Sequence, residues 1–298
     1  MAAKHKEPTP RNPLRKALQL FNWMIDARPE GTGVREMAQI LRLPVSTVHR
    51  TLGLLEKEGY VQADPGTGRY RLGLEFFRMA HRAAARFPVT AVALPIIREL
   101  VAKCQETVRL SLYDAQRQEM VFVAGVDSPH TVRYVEEPNK WVPVYAGATG
   151  WAILAFLTAE ERRRIYQRGG LAPITERTIT DPASLELALE EVRKRGYAIT
   201  RGQRTPGTVG LAAPIWGSNG RPMGGLVINI PEQRFDSSGE PALAKLLTDH
   251  GHRITVQLGG SVGGVAGEPT TALGDDPSAD RAGLLVGLKH ARRIAATR

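Results

Sequence analysis

At 298 residues, with 42% hydrophobic residues and a formal net charge of +10, the chain is long enough for two domains that each bury a core. Its single cysteine, Cys104, excludes an intrachain disulfide, and no apolar run reaches the ~20 residues a membrane span needs. The start, MAAKHKEPTPRNP, lacks the apolar stretch of a signal peptide, so a cytoplasmic protein with no membrane partner is expected. Basic charge is denser at the N-terminal end: residues 1–80 hold 13 Lys and Arg against 8 Asp and Glu, the other 218 residues 27 against 22. That distribution suits a phosphate-binding surface near the N-terminus.

Residues 1–12 are polar and basic and read as a flexible N-terminus. Pro13 opens a helix, with Asn12 as N-cap, whose apolar stripe is Leu14, Ala17, Leu18, Phe21 and Ile25. A second short helix follows, because Val34, Met37, Ala38 and Leu41 recur at i, i+3, i+4 and i+7. Leu43-Pro44 breaks it, since proline disfavours a helical residue before it and can itself start the next helix. The next stripe is Val45, Val48, Leu52 and Leu55, stopped by Gly59. Tyr60–Ala63 and Arg69–Leu72 then alternate like two strands around the turn Asp64-Pro65-Gly66-Thr67-Gly68.

Helix, tight turn, helix, glycine stop and basic hairpin together spell a winged helix-turn-helix over residues 13–73. Its expected partner is double-stranded DNA, the competing reading being a small helical subdomain that touches no nucleic acid. Ser46, Thr47, His49 and Arg50 stand on the second, recognition helix and suit base edges or adjacent phosphates. Arg42, together with Arg69 and Arg71 on one face of the wing, suits the DNA backbone. For His49 a surface packing role is the competing reading.

The segment 74–88 is alanine-rich and helical. Leu74, Phe77, Met79 and Ala80 offer more apolar surface than one small domain needs, so a linker helix that also packs on a second subunit competes with a helix that caps its own domain. Residues 89–260 read as an α/β domain. A helix over 91–104 leads to strands at 107–113, 119–126 and 130–136, then Trp141–Tyr145 and an apolar helix at 151–157. Helices at 160–167 and 182–195, strands at 197–200, 209–216 and 223–230, and a helix over 239–258 complete it. Asn219-Gly220 marks the last hairpin. Residues 261–298 are rich in glycine and small residues and read as a disordered tail with a basic helical end. The fold class expected is therefore α+β.

No metal or organic cofactor is expected. The seven histidines contain no pair at metal-ligand spacing with further ligands, and no GxSxG, P-loop or dinucleotide fingerprint is present. Cys104 lies near the end of an apolar-striped helix, where an inert thiol is usual. Catalytic residues are thus expected to be absent, with an enzyme of the α/β domain and a nonspecific architectural DNA-binding protein as the alternatives to a regulator.

The chain resembles the IclR-type bacterial transcriptional regulators from about Leu14 to Gly260. The resemblance is carried by Leu43–Leu52, Gly59-Tyr60-Val61 and Tyr70–Gly73. In the second domain it is carried by Glu106-Thr107-Val108, Gly150 with Ala152–Ala155, Thr178–Asp181, Val192–Ala198 and Ala212–Ile215. It implies a winged helix-turn-helix joined to a GAF-like effector-binding domain. It also implies a homodimer or dimer of dimers that binds a palindromic operator and controls a catabolic operon in response to a small organic acid. The family's effector-binding positions fall on Ala148, Thr149, Thr200, Gly210, Val227 and Asn229. Departures are Trp151 for a usual lysine, Gln203 for a usual glutamate, Gly210 for a frequent cysteine and Val227 for a frequent small hydroxyl residue. Cysteine to glycine and serine to valine suggest a larger, less polar ligand than a two- or three-carbon oxoacid, such as an aromatic or branched acid.

Overall fold

A computed structural model describes residues 13–28, 30–135 and 139–261. The expectations for 1–12, including the Asn12 cap, and for 262–298 lie outside those residues. The chain divides into two compact units between Phe87 and Pro88.

The first unit carries α1 (Pro13–Ile25), α2 (Val34–Leu41), α3 (Val45–Lys57), β1 (Val61–Ala63), β2 (Tyr70–Leu72) and α4 (Leu74–Arg86). Its core is Leu20, Met24, Met37, Ala38, Leu43, Val48, Leu52 and Val61. The stripes expected on α2 and α3 supply Met37, Ala38, Val48 and Leu52, but the stripe expected on α1 does not form the core: Leu14, Leu18 and Ile25 are exposed, and the helix turns Leu20 and Met24 inward instead, with Phe21 partly buried. Full burial of one such side chain stabilises by about 1.5–3 kcal/mol, enough in sum to hold three short helices together. Pro44 caps α3 from outside, and Gly59 ends it at φ +75°, with Tyr60 N–H donating to Leu55 O at 2.9 Å. β1 and β2 pair antiparallel, Val61 with Leu72 and Ala63 with Tyr70. Asp64 shapes the tip, its Oδ1 accepting from Gly66 N–H (3.0 Å), Thr67 N–H (2.8 Å) and the Thr67 hydroxyl (2.9 Å). Those bonds favour the charged carboxylate and hold its pKa below the usual value. No residue of α4 is buried; Leu74, Phe77 and Met79 are exposed, while Phe76 stacks on Phe21 at 5.7 Å.

The second unit is a six-stranded antiparallel sheet, ordered β5-β4-β3-β8-β7-β6, with helices on both faces. In chain order it holds α5 (Val89–Cys104), β3 (Thr107–Asp114), β4 (Glu119–Val126), β5 (Trp141–Pro143), α6 (Ala148–Leu154), α7 (Ala159–Gly169), α8 (Pro182–Arg195), β6 (Ala198–Arg201), β7 (Thr208–Trp216), β8 (Pro222–Pro231) and α9 (Glu240–Gln257). α5 and α9 cover one face over a core that includes Ile97, Leu100, Leu110, Leu211, Leu226 and Ile228. On the other face α6 and α8 pack over Phe122, Ile153, Leu185, Leu189, Ala212 and Val227. A Thr158–Glu161 capping box starts α7, and Asp181 with Pro182 starts α8, which Gly196 stops at φ +78°.

Two elements differ from the sequence reading. The strand expected at 130–136 does not form over the described residues 130–135. Its backbone is satisfied by side chains instead of a ladder. Thr107 Oγ1 accepts from Ser128 N–H (3.1 Å) and donates to Tyr134 O (3.2 Å), and Arg234 Nη1 donates to Val132 O (3.1 Å). Arg234 is itself held by Glu106, with Nη2 to Oε2 at 2.6 Å. Second, α6 begins at Ala148 rather than 151. The small residues read as a loop are its first turn, and Gly150 lets that turn approach the Val144 carbonyl where any Cβ would collide.

Candidate functional site

In the first unit α3 buries Val48 and Leu52 of its expected stripe, while Val45 is exposed. Ser46, His49 and Arg50 are exposed and Thr47 is half-buried. Arg42 ends α2 in the left-handed conformation (φ 52°), which turns its side chain out beside the start of α3. Arg71 is exposed on β2, opposite Gln62. Arg69 is different. It precedes the strand, and its Nε donates to Gly31 O at 3.0 Å while Nη2 meets Glu36 at 3.3 Å. A guanidinium with two partners inside its own unit braces the wing against α2. The expected pair of basic side chains on one wing face is therefore one outward cation, Arg71, and one strut.

In the second unit the six family-derived positions line one cavity, with Tyr134, Gly147, Gln203, Arg204, Thr205 and Thr208. The register explains why. Thr200 pairs with Gly210 across β6 and β7, and Gly210 pairs with Asn229 across β7 and β8. Cross-strand partners share a face, so these three form one row beneath the start of α6. Asn229 also pairs with Thr107 on β3, the threonine that ties down the 128–134 segment. One row of the sheet thus carries the cavity floor and the anchor of its roof. Thr149, Thr200 and Asn229 are each more than nine-tenths buried. The Asn229 Nδ2 is buried with no hydrogen-bond partner among the described residues.

The cavity is tight. It holds about 310 Å³ counting its open mouth, but only about 20 Å³ admits the centre of a water molecule. That is room for about one water. The sequence reading that glycine at 210 enlarges the site does not hold, because the space is taken from the other side: a Cβ at Gly210 would lie 3.1 Å from the Ala148 Cβ. The described lining is also more polar than expected, with four threonines, an asparagine, a glutamine, a tyrosine and, among the described residues, one charged group, Arg204.

Sequence reasoning missed Tyr134, Arg204, Thr205 and Thr208. Thr208 was within reach, because it stands two residues before Gly210 on one strand face. The loop residues were not, since only tertiary structure brings 134 and 204 together. The Arg204 Nη2 donates to the Tyr134 hydroxyl at 3.2 Å, and the guanidinium lies 4.9 Å from the Phe122 ring centroid. Gln203 keeps the acceptor of the glutamate it replaces, its Oε1 accepting from Ile179 N–H at 3.0 Å. Trp151 is buried in the α6 core and donates to Tyr145 O at 2.9 Å. Cys104 is half-buried, and burial pushes its thiol up to about 11, the opposite of an activated nucleophile. His250 and His252 part as expected, one buried and one exposed. Among the described residues no cluster of His, Cys, Asp or Glu is arranged to hold a metal. None of their helices is long and apolar enough to cross a membrane.

A helix-turn-helix with a wing, in one chain with a sheet domain that encloses a small polar cavity, is the architecture of a DNA-binding transcriptional regulator with a ligand-binding domain. Comparison with known proteins gives the family. Residues 81–256 match "Bacterial transcriptional regulator IclR C-terminal", and residues 13–65 match "IclR helix-turn-helix domain". The chain belongs to the IclR family of bacterial transcriptional regulators. It is 34% identical over 212 residues to the HTH-type transcriptional regulator Rv1719 of Mycobacterium tuberculosis, covering 71% of this chain and 80% of that one. It is 26% identical over 247 residues to the transcriptional repressor IclR of Escherichia coli, covering 83% and 90%. The crystal structure of Thermotoga maritima IclR superposes with a TM-score of 0.67 at 27% identity, covering 83% of this chain and 98% of that one. These relatives are regulators, and the chain is a regulator rather than an enzyme.

Proposed function

We propose that the protein is a cytoplasmic regulator of a catabolic operon that binds a palindromic operator as a dimer or pair of dimers and changes its hold on DNA when a small organic acid enters the cavity. The observation that carries the ligand reading is Asn229. A buried amide nitrogen without a partner costs about 1–3 kcal/mol, and a ligand acceptor in the cavity removes that cost. Thr149 and Thr200 add hydroxyls beside it. The exposed apolar residues Leu74, Phe77 and Met79 on α4 support a subunit contact.

On DNA, two recognition helices enter successive major grooves about 34 Å apart. Arg50, Ser46 and Thr47 meet base edges or neighbouring phosphates, His49 lies beside them, and Arg42 and Arg71 hold backbone. The ligand acts only through a difference in affinity between the free and DNA-bound states. α4 ends the DNA-binding unit and leads directly into the effector unit, which makes it the natural route for that difference.

The test is a mobility shift on the DNA flanking the protein's own gene, with a panel of small carboxylic acids. One acid is expected to alter a specific shift in the wild type and to lose its effect in Asn229→Leu. Arg50→Ala is expected to weaken specific binding by ten- to a hundredfold, about 1–3 kcal/mol, with a much smaller loss on nonspecific DNA. A response that survives Asn229→Leu removes the cavity from the account. Equal loss on both DNAs reduces Arg50 to a phosphate contact.

A further inference from the structure

The cavity is nearly filled without a ligand, so something must move for a ligand to enter. Its floor is fixed in the sheet. Its roof comes from two irregular segments, residues 128–134 and 202–207. Most of that roof is pinned. Tyr134 O and Ser128 N–H are both held by Thr107 Oγ1, and Arg234 holds Val132 O. On the other segment, the Thr175 hydroxyl donates to Gly202 O at 2.6 Å and the Thr178 hydroxyl to Gln203 O at 2.8 Å. At its far end, Gly207 O accepts from Glu232 N–H at 2.7 Å.

Between those pins the two segments meet through side chains. Arg204 reaches across to the Tyr134 hydroxyl, which in turn lies 3.4 Å from Thr205 Oγ1, and the guanidinium rests on the Phe122 ring. Both side chains line the cavity, and among its described lining residues Arg204 carries the one charge. A ligand carboxylate binds a guanidinium through charge-assisted and often paired hydrogen bonds, which a neutral tyrosine hydroxyl cannot match.

We propose that Arg204 is the specificity-determining residue of the cavity and, with Tyr134, its latch: the pair closes the mouth, and an anionic ligand opens it by taking the guanidinium from Tyr134 while its other end reaches Asn229. This rests on the cavity being the effector site. It deepens that reading by placing the anion at the roof, opposite the orphaned amide of the floor. The ligand class is then a compact carboxylate with a hydrogen-bond acceptor at the far end.

Alkylation of a single cysteine in the cavity tests this without knowing the effector. In the full chain carrying Cys104→Ser and Thr200→Cys, the rates with iodoacetate and iodoacetamide are compared, each normalised to the unfolded chain. The two probes have nearly the same shape and differ in charge. With Arg204 present, normalised labelling is slow for both and favours iodoacetate. Arg204→Ala is expected to speed iodoacetamide and to lower the preference for the anion about tenfold, the worth of a charge-assisted hydrogen bond. Arg204→Lys keeps much of the preference. Tyr134→Phe speeds both reagents and keeps it, which separates the latch from the charge. If the introduced thiol reacts in the folded parent as fast as in the unfolded chain, there is no enclosed cavity and both readings fall. If it is protected but the preference is the same in Arg204→Ala, the cavity stands and the role of Arg204 is overturned.

Discussion

The two faces of the effector sheet are built by alternate residues of the same strands, yet they do opposite things. Along β8, Leu226, Ile228 and Ile230 point to the α5/α9 side, while Val227 and Asn229 point to the α6 side; along β7, Val209 and Leu211 flank Gly210. The α5/α9 side is a largely apolar core, with His250 of α9 buried in it and its Nε2 3.6 Å from Glu99 Oε1 on α5. The α6 side is apolar toward Ala212 and Phe122 but breaks at the row Thr200–Gly210–Asn229, where a side chain is missing and a polar one is unsatisfied. A strand's period of two lets one backbone hold both a face filled for packing and a face with a polar break.

Substitutions can break that contrast in order of size. Gly150→Ala should be the most damaging. Its new Cβ has no room against the Val144 carbonyl, which is backbone and cannot step aside, so α6 must lift off the sheet. A loss of more than about 3 kcal/mol is expected, read by urea unfolding of the full chain. A wild-type midpoint would show that α6 docks with slack. Leu226→Ala, on the packed face and fully buried, is expected to cost about 2–5 kcal/mol by the same measurement while leaving DNA binding intact below the transition.

Asn229→Leu, three residues on, should cost within about 1 kcal/mol or stabilise. Here an unpartnered buried amide is replaced by an apolar group of similar size. The loss falls on ligand response instead. A destabilisation as large as that of Leu226→Ala would mean that Asn229 holds the fold, and the distinction between the faces would fail.

Much of this is legible in the chain itself. Val34, Met37, Ala38 and Leu41 at helical spacing, Pro44 before one helix and Gly59 after it are local signals, and local signals set local structure. The sites divide along the same line. Arg50 and His49 are readable because a helix has only one face left once Val48 and Leu52 are buried. The partners of Arg69 within its own unit, Gly31 and Glu36, are not legible in sequence because they lie more than 30 residues away along the chain. The absent strand at 130–135 has the same cause: it reads as extended chain, but Thr107 and Arg234 take the backbone groups a ladder would have used.

What the sequence determined alone, then, is the order and type of most elements, the buried stripes of α2 and α3 but not that of α1, and the membership of the six cavity positions through their resemblance to a family. Tertiary structure alone decided the size and sign of the cavity. Whether Gly210 opens space depends on where α6 brings Ala148, and whether the described lining carries a charge depends on where the fold brings Arg204, which meets Tyr134, 70 residues away along the chain. Periodicity records which side a residue faces; it does not record what arrives from the other side.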